Sequence, residues 1–437
     1  MPCYTVREWN TLAYGDGDGQ ISEHFADQLA AVAQSSSFSG RGAGGVLEHG
    51  RHALRARGVV GILATKDCSL EILPKIEVAR DEDDQHQNAA IRKRLIHMLA
   101  VALDLKIDLG IMTRIDWQRD TLLEILIRVF CEKLTEAVRK GIPRRYVEHE
   151  EDLVALRGRL NITRQFTRHA VNPSRLACRF DDLSQDIALN RTMKAAIAHL
   201  CSMSRNVDNQ QRLRNLTFVY AEVADVSPTA LSHCEVVIDR TNRAWRELLN
   251  MAQLFLRNRY QTTTDGGGLG TALLFEMNTL FEEYIGRLVS RALAPTDLSV
   301  TLQGGHLFCL TRADTGRGLF QTKPDILIRR DGRTLHVIDT KWKRISVRID
   351  DPKQGVTQTD VYQMMAYAQL YDAPRLTLLY PHHAELGDEE GIHAQHSVNG
   401  RDSSLEMASI DVANGEDLLD RIRRLLPIDC SVAEAIA

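Results

Sequence analysis

The spacing of apolar and polar residues changes along this chain, and each spacing predicts a type of secondary structure. In the first part, short apolar runs of strand length recur, including "GVVGILAT" at 58–65 and "SLEILPKIEV" at 69–78. A helical spacing of apolar residues occurs there near residues 89–105. The pattern therefore predicts a β-rich domain over residues 1–105.

Between residues 122 and 259 the apolar residues follow mainly a helical spacing. Met193, Ile197 and Leu200 recur at intervals of four and three residues, which places them on one face of a helix. The pattern predicts a mainly helical region over residues 106–262.

The glycine-rich segment "TTTDGGGLG" at 262–270 marks the next change of pattern, and we interpret it as a flexible hinge. A helix is predicted near residues 273–293, followed by short strands, a second helix near 360–371 and the strand "RLTLLY" at 375–380. This order is typical of a central mixed sheet flanked by helices. The predicted fold class is a multidomain α/β (α+β) protein whose last domain spans residues 263–437.

The stretch "KPDILIRRDGRTLHVIDTK" at 323–341 predicts a β-hairpin, because two β-rich runs flank an Asp-Gly turn. A strict two-residue loop would oppose Asp325 to Ile338 and send the two aspartates of the hairpin to opposite faces. One extra residue, in a longer loop or a bulge, would oppose Asp325 to Asp339 instead. We predict the extra residue, so that Asp325, Asp339 and Lys341 converge on one patch.

Two carboxylates beside an ammonium group suit metal-assisted cleavage of a phosphodiester bond. Magnesium takes hard oxygen ligands and is usually held by one or two carboxylates together with substrate phosphate oxygens. A neighbouring lysine can orient or help deprotonate the attacking water and can stabilise the charge that builds on the phosphate. For Asp339 and Lys341, an ion pair at the end of a surface strand is the alternative interpretation.

Helices on either side of the hairpin add polar side chains to this set. In "DVYQMMAYA", Gln363 and Tyr367 lie four residues apart and so share one face of a helix. In "MNTLFEEYIGRLV", an acid on the preceding helix could complete a metal site. Glu282 is our candidate for that acid, with Glu283 and Glu276 as competitors and an amphipathic surface helix as the alternative.

The charge of the chain changes the picture in one region. The formal net charge of -4 gives no general sign of nucleic-acid binding, so any such contact must come from a local patch. Residues 137–176 contain nine Lys and Arg residues against four acids. Arg157 and Arg159 in this stretch are candidates for contact with phosphates or an acidic partner, and a solvated face is the alternative.

Several classes of protein are excluded by what the sequence lacks. Without a run of 18 apolar residues or a signal-peptide pattern, we expect a cytoplasmic protein that makes no membrane contact. The Gly-Lys-Ser/Thr ending of a P-loop is missing, so we do not expect nucleotide hydrolysis by this chain. Its eight cysteines form no CxxC pair, which argues against a zinc or iron–sulfur site.

Three short motifs carry a family resemblance: "PD" at 324–325, "DTK" at 339–341 and "QMMAY" at 363–367. Together they resemble the PD-(D/E)xK nuclease pattern with its QxxxY motif, as in RecB-like nucleases. With "MNTLFEEYI" upstream and "LLYP" downstream, the chain resembles the McrC family, the nuclease subunits of McrBC restriction systems.

The resemblance extends into the first half of the chain. "EILPKI" at 71–76, "LRGRLNI" at 156–162 and "FDDLSQDIALNRTMKAAI" at 180–197 are similar to landmarks of the N-terminal part of the McrC family. The resemblance therefore covers most of the sequence.

The resemblance implies a role for each matching residue. The implied catalytic set is Asp325, Asp339, Lys341, Gln363, Tyr367 and Glu282. The three acids would hold Mg²⁺, the lysine would act beside the attacked phosphate, and the glutamine and tyrosine would position DNA or the metal-bound water.

The resemblance also implies partners. The implied function is that of a DNA endonuclease subunit in a GTP-dependent restriction complex that attacks double-stranded DNA containing 5-methylcytosine. The implied partner is an McrB-like AAA+ GTPase hexamer, which binds the GTP and which this chain would stimulate. Arg157 and Arg159 would then be candidates for contact with that ring. A non-cleaving activator of the GTPase and a stand-alone RecB-like nuclease are the alternatives.

Overall fold

The computed structural model describes most of the chain. The described residues are 2–17, 19–34, 45–76, 84–105, 115–117, 120–171, 174–231, 235–257, 259–261, 269–345, 356–387, 389–413, 415 and 417–426. Among these residues, no helix combines the length and the apolar character needed to cross a membrane.

The strands and helices are numbered in chain order. The strands are β1 (Cys3–Arg7), β2 (Thr11–Ala13), β3 (Leu47–His49), β4 (Ala53–Ala56), β5 (Val59–Ala64), β6 (Ser69–Leu73), β7 (Arg145–Leu153), β8 (Arg159–Leu160), β9 (Leu176–Ser184), β10 (Arg259–Gln261), β11 (Leu269–Glu276), β12 (Ser299–Leu302), β13 (Phe308–Thr311), β14 (Gly318–Gln321), β15 (Ile326–Arg330), β16 (Arg333–Thr340), β17 (Arg375–Pro381), β18 (Gly391–Ser397) and β19 (Ser404–Ile410). The α-helices are α1 (Glu23–Gln34), α2 (Asp84–Ala102), α3 (Leu122–Lys140), α4 (Ile162–Arg168), α5 (Ala188–Met203), α6 (Val207–Val219), α7 (Pro228–Leu231), α8 (Arg246–Arg257), α9 (Met277–Leu293), α10 (Gln358–Tyr371) and α11 (Leu418–Leu425).

The chain divides into two compact units. The first unit combines Met1–Asp108, Asp116–Leu122 and Tyr260–Ala437, and the second combines Leu109–Ile115 and Leu123–Arg259. The first unit thus contains residues from both the first and the third predicted domains. The three-domain division with boundaries at 105 and 262 stays a prediction.

A five-stranded sheet joins strands near the N-terminus to strands from the middle of the chain. Its strand order is β1-β6-β5-β11-β10, and β5 and β6 are buried at every position, as expected for the apolar runs predicted to be strands. Strand β11 comes from the later part of the chain and pairs antiparallel with β5. Gly61, with φ +131°, permits this pairing, because a Cβ there would lie 2.0 Å from the carbonyl oxygen of Leu273.

A six-stranded mixed sheet in the first unit has the order β12-β15-β16-β17-β19-β18. Strands β16, β17 and β19 are parallel, and α10 makes the crossover between β16 and β17. Leu327, Val337, Met364 and Leu376 pack in the core between this helix and the sheet. The predicted arrangement of a central mixed sheet with helices is thus confirmed for this part of the chain.

The β15–β16 hairpin has the register that the sequence predicts. Both turn residues have positive φ angles, 50° and 81°, as a two-residue type I′ turn requires. A register shift on the second strand leaves Leu335 as an extra residue. Beyond it, Ile326 opposes Ile338, which makes Asp325 and Asp339 the next residues along the two strands. The prediction of one extra residue is confirmed, and its form is a bulge.

The helix predicted near residues 273–293 is only partly correct. Residues 273–276 belong to strand β11, and helix α9 begins at Met277. The apolar run before Met277 is short enough to serve as either element, and pairing with β5 decides for the strand. Residues 262–268 of the glycine-rich segment lie outside the described residues, so the hinge interpretation stays a prediction.

The second unit contains helices and a small sheet. Met193, Ile197 and Leu200 are buried, which confirms the predicted helical face of α5, and Phe130 packs edge-on against Phe255 at 5.6 Å between ring centres. Strands β7, β9 and β8 form a three-stranded antiparallel sheet within the region predicted to be mainly helical. Its first strand, "RYVEHEEDL", lacks an apolar run, because most of its side chains are exposed or half-buried rather than packed in a core.

Candidate active site

The hairpin of the mixed sheet brings two aspartates together. The backbone N–H of Thr340 donates to Asp325 Oδ2 at 2.7 Å, and the Thr340 hydroxyl donates to the same oxygen at 2.9 Å. Asp339, one residue earlier, is 1% exposed. The pairing of β15 with β16 thus holds both carboxylates at the end of the hairpin, as the bulged register requires.

A lysine and a helix-borne glutamine complete this side of the site. The ammonium group of Lys341 contacts Asp339 Oδ2, and its Nζ lies 3.4 Å from Gln363 Oε1. Gln363 Nε2 in turn donates to the hydroxyl of Tyr367 at 2.7 Å. Helix α10 carries both residues. It begins with a capping box formed by Thr357 and the third residue of the helix, and this capping box fixes where the first turn starts.

Glu282 is the acid of helix α9 that the structure relates to these aspartates. Its Oε1 accepts a hydrogen bond from Gln303 Nε2 at 2.6 Å, and its charge acts on Asp325. Glu276 instead lies at the N-terminus of the helix and accepts from Thr279 at 3.0 Å. The geometry favours Glu282 over Glu276, while its role as a metal ligand stays a prediction.

Burial controls the electrostatics of the acids. Burial, and then the charge of Glu282, raises the pKa of Asp325 to about 6 against the opposing hydrogen bonds from Thr340. Burial, and then the charge of Asp325, raises the pKa of Asp339 to about 7. Burial alone would lower the pKa of Lys341, but the charge and hydrogen bond of Asp339, together with the charges of Asp325 and Asp360, outweigh it, so the pKa is raised and the amine stays protonated.

The aspartates match the needs of a hard cation. Asp339 Oδ1 is buried and has no hydrogen-bond partner among the described residues, so it demands a positive or donating group. Within the described residues, no three His, Cys, Asp or Glu side chains lie close enough to enclose a metal ion by themselves. Asp325 and Asp339 therefore fit an ion such as Mg²⁺, which takes one or two carboxylates and fills its other positions with water and substrate oxygens.

Supporting residues around the strand end were not predicted from the sequence. The indole of Trp342 donates to Glu8 Oε1 at 2.5 Å, and its backbone N–H donates to Asn278 Oδ1 at 3.2 Å. The Trp342 ring also packs edge-on against Phe281 at 5.3 Å, as expected for a packing residue. Glu8 and Trp342 are 334 positions apart, so no local pattern could have paired them. Gln303 has no local signal either.

Arg157 and Arg159 lie at the small sheet of the second unit. The Arg157 guanidinium stacks 4.1 Å above the Phe180 ring and pairs with Asp182 at 3.1 Å. The Arg159 side chain is 80% exposed and lies 4.0 Å from Glu148. Large apolar side chains of the same sheet, of helix α4 and of the adjoining loops are exposed nearby in sequence: Tyr146, Val154, Leu156, Ile162, Phe166 and Val171. The region around Arg157 and Arg159 therefore exposes both guanidinium groups and apolar side chains.

Comparison with known proteins decides the family. A family model described as "McrBC 5-methylcytosine restriction system component" matches residues 54–381. The chain belongs to this McrBC family. The resemblance to the McrC family is thereby confirmed, and the matched range includes Asp325, Asp339 and Lys341.

Two solved structures share the fold of this McrBC-family chain. One is described as a refined half-complex from a tetradecameric assembly of Thermococcus gammatolerans McrB AAA+ hexamers with bound McrC, and it matches with a TM-score of 0.69 and 20% identity over 97% of this chain and 99% of that chain. The other is the Thermococcus gammatolerans McrBC complex, which matches with a TM-score of 0.51 and 23% identity over 67% of this chain and 88% of that chain. No curated protein matches the sequence.

Proposed function

We propose that this chain is the nuclease subunit of an McrBC restriction complex and hydrolyses phosphodiester bonds in double-stranded DNA with the help of Mg²⁺. The observation that carries the proposal is the convergence of Asp325, Asp339 and Lys341 at the end of the bulged hairpin. Membership in the McrBC family supports the same reaction class. The proposed site is a PD-(D/E)xK site, with its sheet and crossover helix as the scaffold.

The two aspartates would hold the ion, with Glu282 as a further acid acting through water or directly. A bound Mg²⁺ would supply an activated water and neutralise charge on the phosphate and the leaving oxygen. Lys341 keeps its proton, so we assign it the stabilisation of negative charge on the attacked phosphate rather than the removal of a proton. Lys341 reaches that position because Asp339 and Gln363 hold its ammonium group from two sides.

Gln363 and Tyr367 would orient the attacking water or the DNA backbone. The Gln363 amide group bridges Lys341 and Tyr367, because its oxygen faces the lysine and its nitrogen donates to the tyrosine hydroxyl. The pKa of Tyr367 is raised, mainly by burial, so its hydroxyl stays protonated and can itself donate a hydrogen bond. The pair is therefore suited to positioning and not to proton abstraction.

We further propose that the partner is an McrB-like AAA+ GTPase ring, which binds and hydrolyses GTP. A related fold is found in the structure of McrB hexamers with bound McrC, which supports the proposal. Arg157 and Arg159 would contact that ring, because their surface combines exposed guanidinium groups with exposed apolar side chains, the mixture typical of protein interfaces. Such a contact could also stimulate GTP hydrolysis by stabilising charge.

The test is cleavage of methylated and unmethylated plasmid with magnesium and GTP. The chain is assayed by itself and with its GTPase ring, and Asp339→Asn is assayed with the ring. Asp372→Asn is the matched control, because it removes the same charge from an exposed aspartate. The backbone of Asp372 is left-handed, a conformation that Asn also adopts.

We expect the wild-type mixture and the Asp372→Asn mixture to cleave methylated plasmid. The Asp339→Asn mixture should not cleave but should still stimulate GTP hydrolysis. Strong stimulation without cleavage by the wild type would identify a non-cleaving activator instead. Cleavage by the chain without the ring would identify a stand-alone nuclease. Loss of cleavage and stimulation together in Asp339→Asn would mean that Asp339 is structural.

A further inference from the structure

An exposed β-hairpin extends from the mixed sheet immediately before Asp325. Residues 304–322, which we refer to as the arm, contain β13, β14 and the turn between them, and these two strands pair with each other as a separate sheet. The arm exposes five large apolar side chains: Leu307 by 41%, Phe308 by 45%, Leu310 by 56%, Leu319 by 37% and Phe320 by 72%. Since a two-stranded hairpin is marginally stable by itself, this exposure suggests a surface that binds something.

Both ends of the arm are bonded to the candidate active site. Lys323 Nζ donates to Gln303 Oε1 at 2.8 Å, which joins the residue after the arm to the residue before it. Gln303 also donates through its side chain to Glu282 at 2.6 Å and through its backbone to the carbonyl oxygen of Asp325 at 2.8 Å. The position of the arm is thus tied directly to the acids of the site.

Helix α10 holds the base of the arm from a second direction. The hydroxyl of Tyr371 lies 2.7 Å from Thr322 Oγ1 and accepts from the backbone N–H of Leu307 at 3.4 Å. Gly305, with φ +89°, lies so close that a Cβ there would come within 2.4 Å of the Tyr371 ring. Tyr371 follows Tyr367 by one helical turn, so one helix positions both the arm and the candidate catalytic residues.

The arm and its base are cationic. Arg312, Arg317 and Lys323 stand against a single acid, Asp314, between residues 304 and 323. Arg312 pairs with Asp314 at 2.7 Å, whereas Arg317 is exposed and has no ion-pair partner among the described residues. Exposed guanidinium groups at a hairpin tip suit the phosphates of a nucleic acid backbone.

One aromatic side chain of the arm is held outward by an unusual backbone. Phe320 has φ 57°, a conformation that is rare for a bulky residue, and it is the most exposed of the large apolar side chains of the two strands. Phe308, by contrast, lies across Gly318, where a Cβ would come within 2.4 Å of its ring. Outward-pointing apolar side chains between cations are a means of wedging into a DNA groove.

We propose that the arm binds double-stranded DNA beside the bond to be cut, with Arg312 and Arg317 on phosphates and Phe320 against the groove. The proposal rests on the proposed nuclease function and adds a substrate-positioning element to it. DNA is favoured over a second copy of this chain for two reasons. The surplus of cations complements a polyanion, and both ends of the arm are bonded to the residues that hold the acids.

The experiment measures the binding of a labelled DNA duplex by fluorescence anisotropy across a range of salt concentrations. All proteins are full-length and carry Asp339→Asn to prevent cleavage. The arm is altered by Arg312→Gln with Arg317→Gln, and separately by Phe320→Ala. The controls are Arg214→Gln and Phe218→Ala on helix α6, where the arginine is exposed and the phenylalanine is 79% exposed, close to the 72% of Phe320.

We expect the double arginine variant to weaken binding and to lower the slope of log K against log salt by about 2, close to 0.9 per phosphate contact. Phe320→Ala should weaken binding by about tenfold without changing that slope. The controls should bind as the parent protein does. Arm variants that bind like the controls would overturn the role of the arm and leave the proposed nuclease function intact.

Two further outcomes count against the proposal in different ways. Sedimentation of the same variants would reveal altered self-association, and such a change with unaltered DNA affinity would assign the arm to a contact between copies of the chain. No DNA binding by the parent protein, with or without the GTPase ring, would overturn the proposed function itself.

Discussion

Two acid–cation pairs of this protein have the same chemistry and opposite behaviour. Asp339 contacts Lys341 at the buried hairpin end, where burial and then the charge of Asp325 raise the pKa of Asp339 to about 7. Glu148 accepts hydrogen bonds from Nε and Nη2 of the Arg179 guanidinium on the exposed sheet, and these bonds hold the pKa of Glu148 below its usual range. The pairs differ in the solvent around them and in the second buried carboxylate, Asp325, that acts on Asp339.

The comparison shows what burial does to a charged group. An exposed ion pair is screened by water and contributes about 0–1 kcal/mol, so the exposed pairs of the second unit are available for exchange with a charged partner. A buried carboxylate with few protein donors keeps an unmet demand for positive charge. Asp339 has that demand, and a metal ion or a transition state can meet it.

The largest expected effect is at the buried pair. Lys341→Met should reduce DNA cleavage by about 10²–10³-fold, the usual loss when one stabilising charge is removed from an active site. Lys66→Met is the matched control, since Lys66 is exposed in the turn between β5 and β6 of the same unit. The control should change cleavage by no more than about twofold. The measurement is the initial rate of plasmid nicking in the presence of the GTPase ring. Equal losses of rate in both variants would contradict a special role for the buried pair.

The pH dependence of stability sharpens the contrast. Asp339 has a folded pKa of about 7 against an ordinary value of about 3.9, so its protonated form stabilises the metal-free fold at low pH. That contribution is complete below about pH 4 and is lost as the pH rises through about 7. We therefore expect the melting temperature of the metal-free wild type to fall relative to that of Asp339→Asn as the pH rises from about 5 to about 8.

Magnesium should offset this loss. The increase in melting temperature on adding magnesium should be larger at about pH 8 than at about pH 5, because the ion binds the ionised carboxylates. Asp339→Asn should show little of the increase. Differential scanning fluorimetry at several pH values measures both effects, and a pH-independent difference between the proteins would show that Asp339 titrates normally.

At the exposed pairs the expected effects are smaller. Replacing Arg157 and Arg159 by Ala should weaken stimulation of the GTPase ring by about tenfold. The stimulation that remains should be less sensitive to salt, because charges at the rim of an interface act through salt-dependent attraction. Arg214→Ala on helix α6 is the matched control for an exposed arginine. Stimulation is measured as phosphate release over a salt series. Unchanged stimulation in the double variant would remove this surface from the proposal.

The smallest effect is expected at a buried acid outside the active site. Glu8 is 1% exposed, and burial raises its pKa, while its Oε1 accepts from the Trp342 indole and from the Lys75 backbone. Glu8→Gln retains an acceptor and removes a costly charge, so the free energy of unfolding should change by less than about 1 kcal/mol. Glu8→Ala should lower it by about 1–3 kcal/mol. Denaturant titrations measure both, and a large loss in Glu8→Gln would show that the charge itself is needed.

Elements with a strong local pattern could be predicted from the sequence. The alternating runs around Asp331 and Gly332 predict the hairpin, and the spacing of Gln363 and Tyr367 predicts their shared helical face. The extra hairpin residue could be predicted because a strict turn would separate the two aspartates.

Features that depend on distant parts of the chain could not be predicted. The contact of Trp342 with Glu8 joins opposite ends of the sequence, and the pairing of β11 with β5 converted the first residues of an expected helix into a strand. The small sheet of the second unit was not predicted, because its strands expose many polar side chains and so lack a regular apolar pattern. The roles assigned to the site residues and the two boundaries between the three predicted domains stay predictions.

A single bulge residue, Leu335, has a consequence for how such proteins diverge. Deleting one residue there would leave the motifs "PD", "DTK" and "QMMAY" spelled as they are, yet would turn Asp325 toward the opposite side of the sheet. Under the proposed function, the number of residues between the two aspartates therefore matters as much as the aspartates themselves. We expect a relative with one residue fewer in that interval to lack the proposed cleavage, even when every motif letter is preserved.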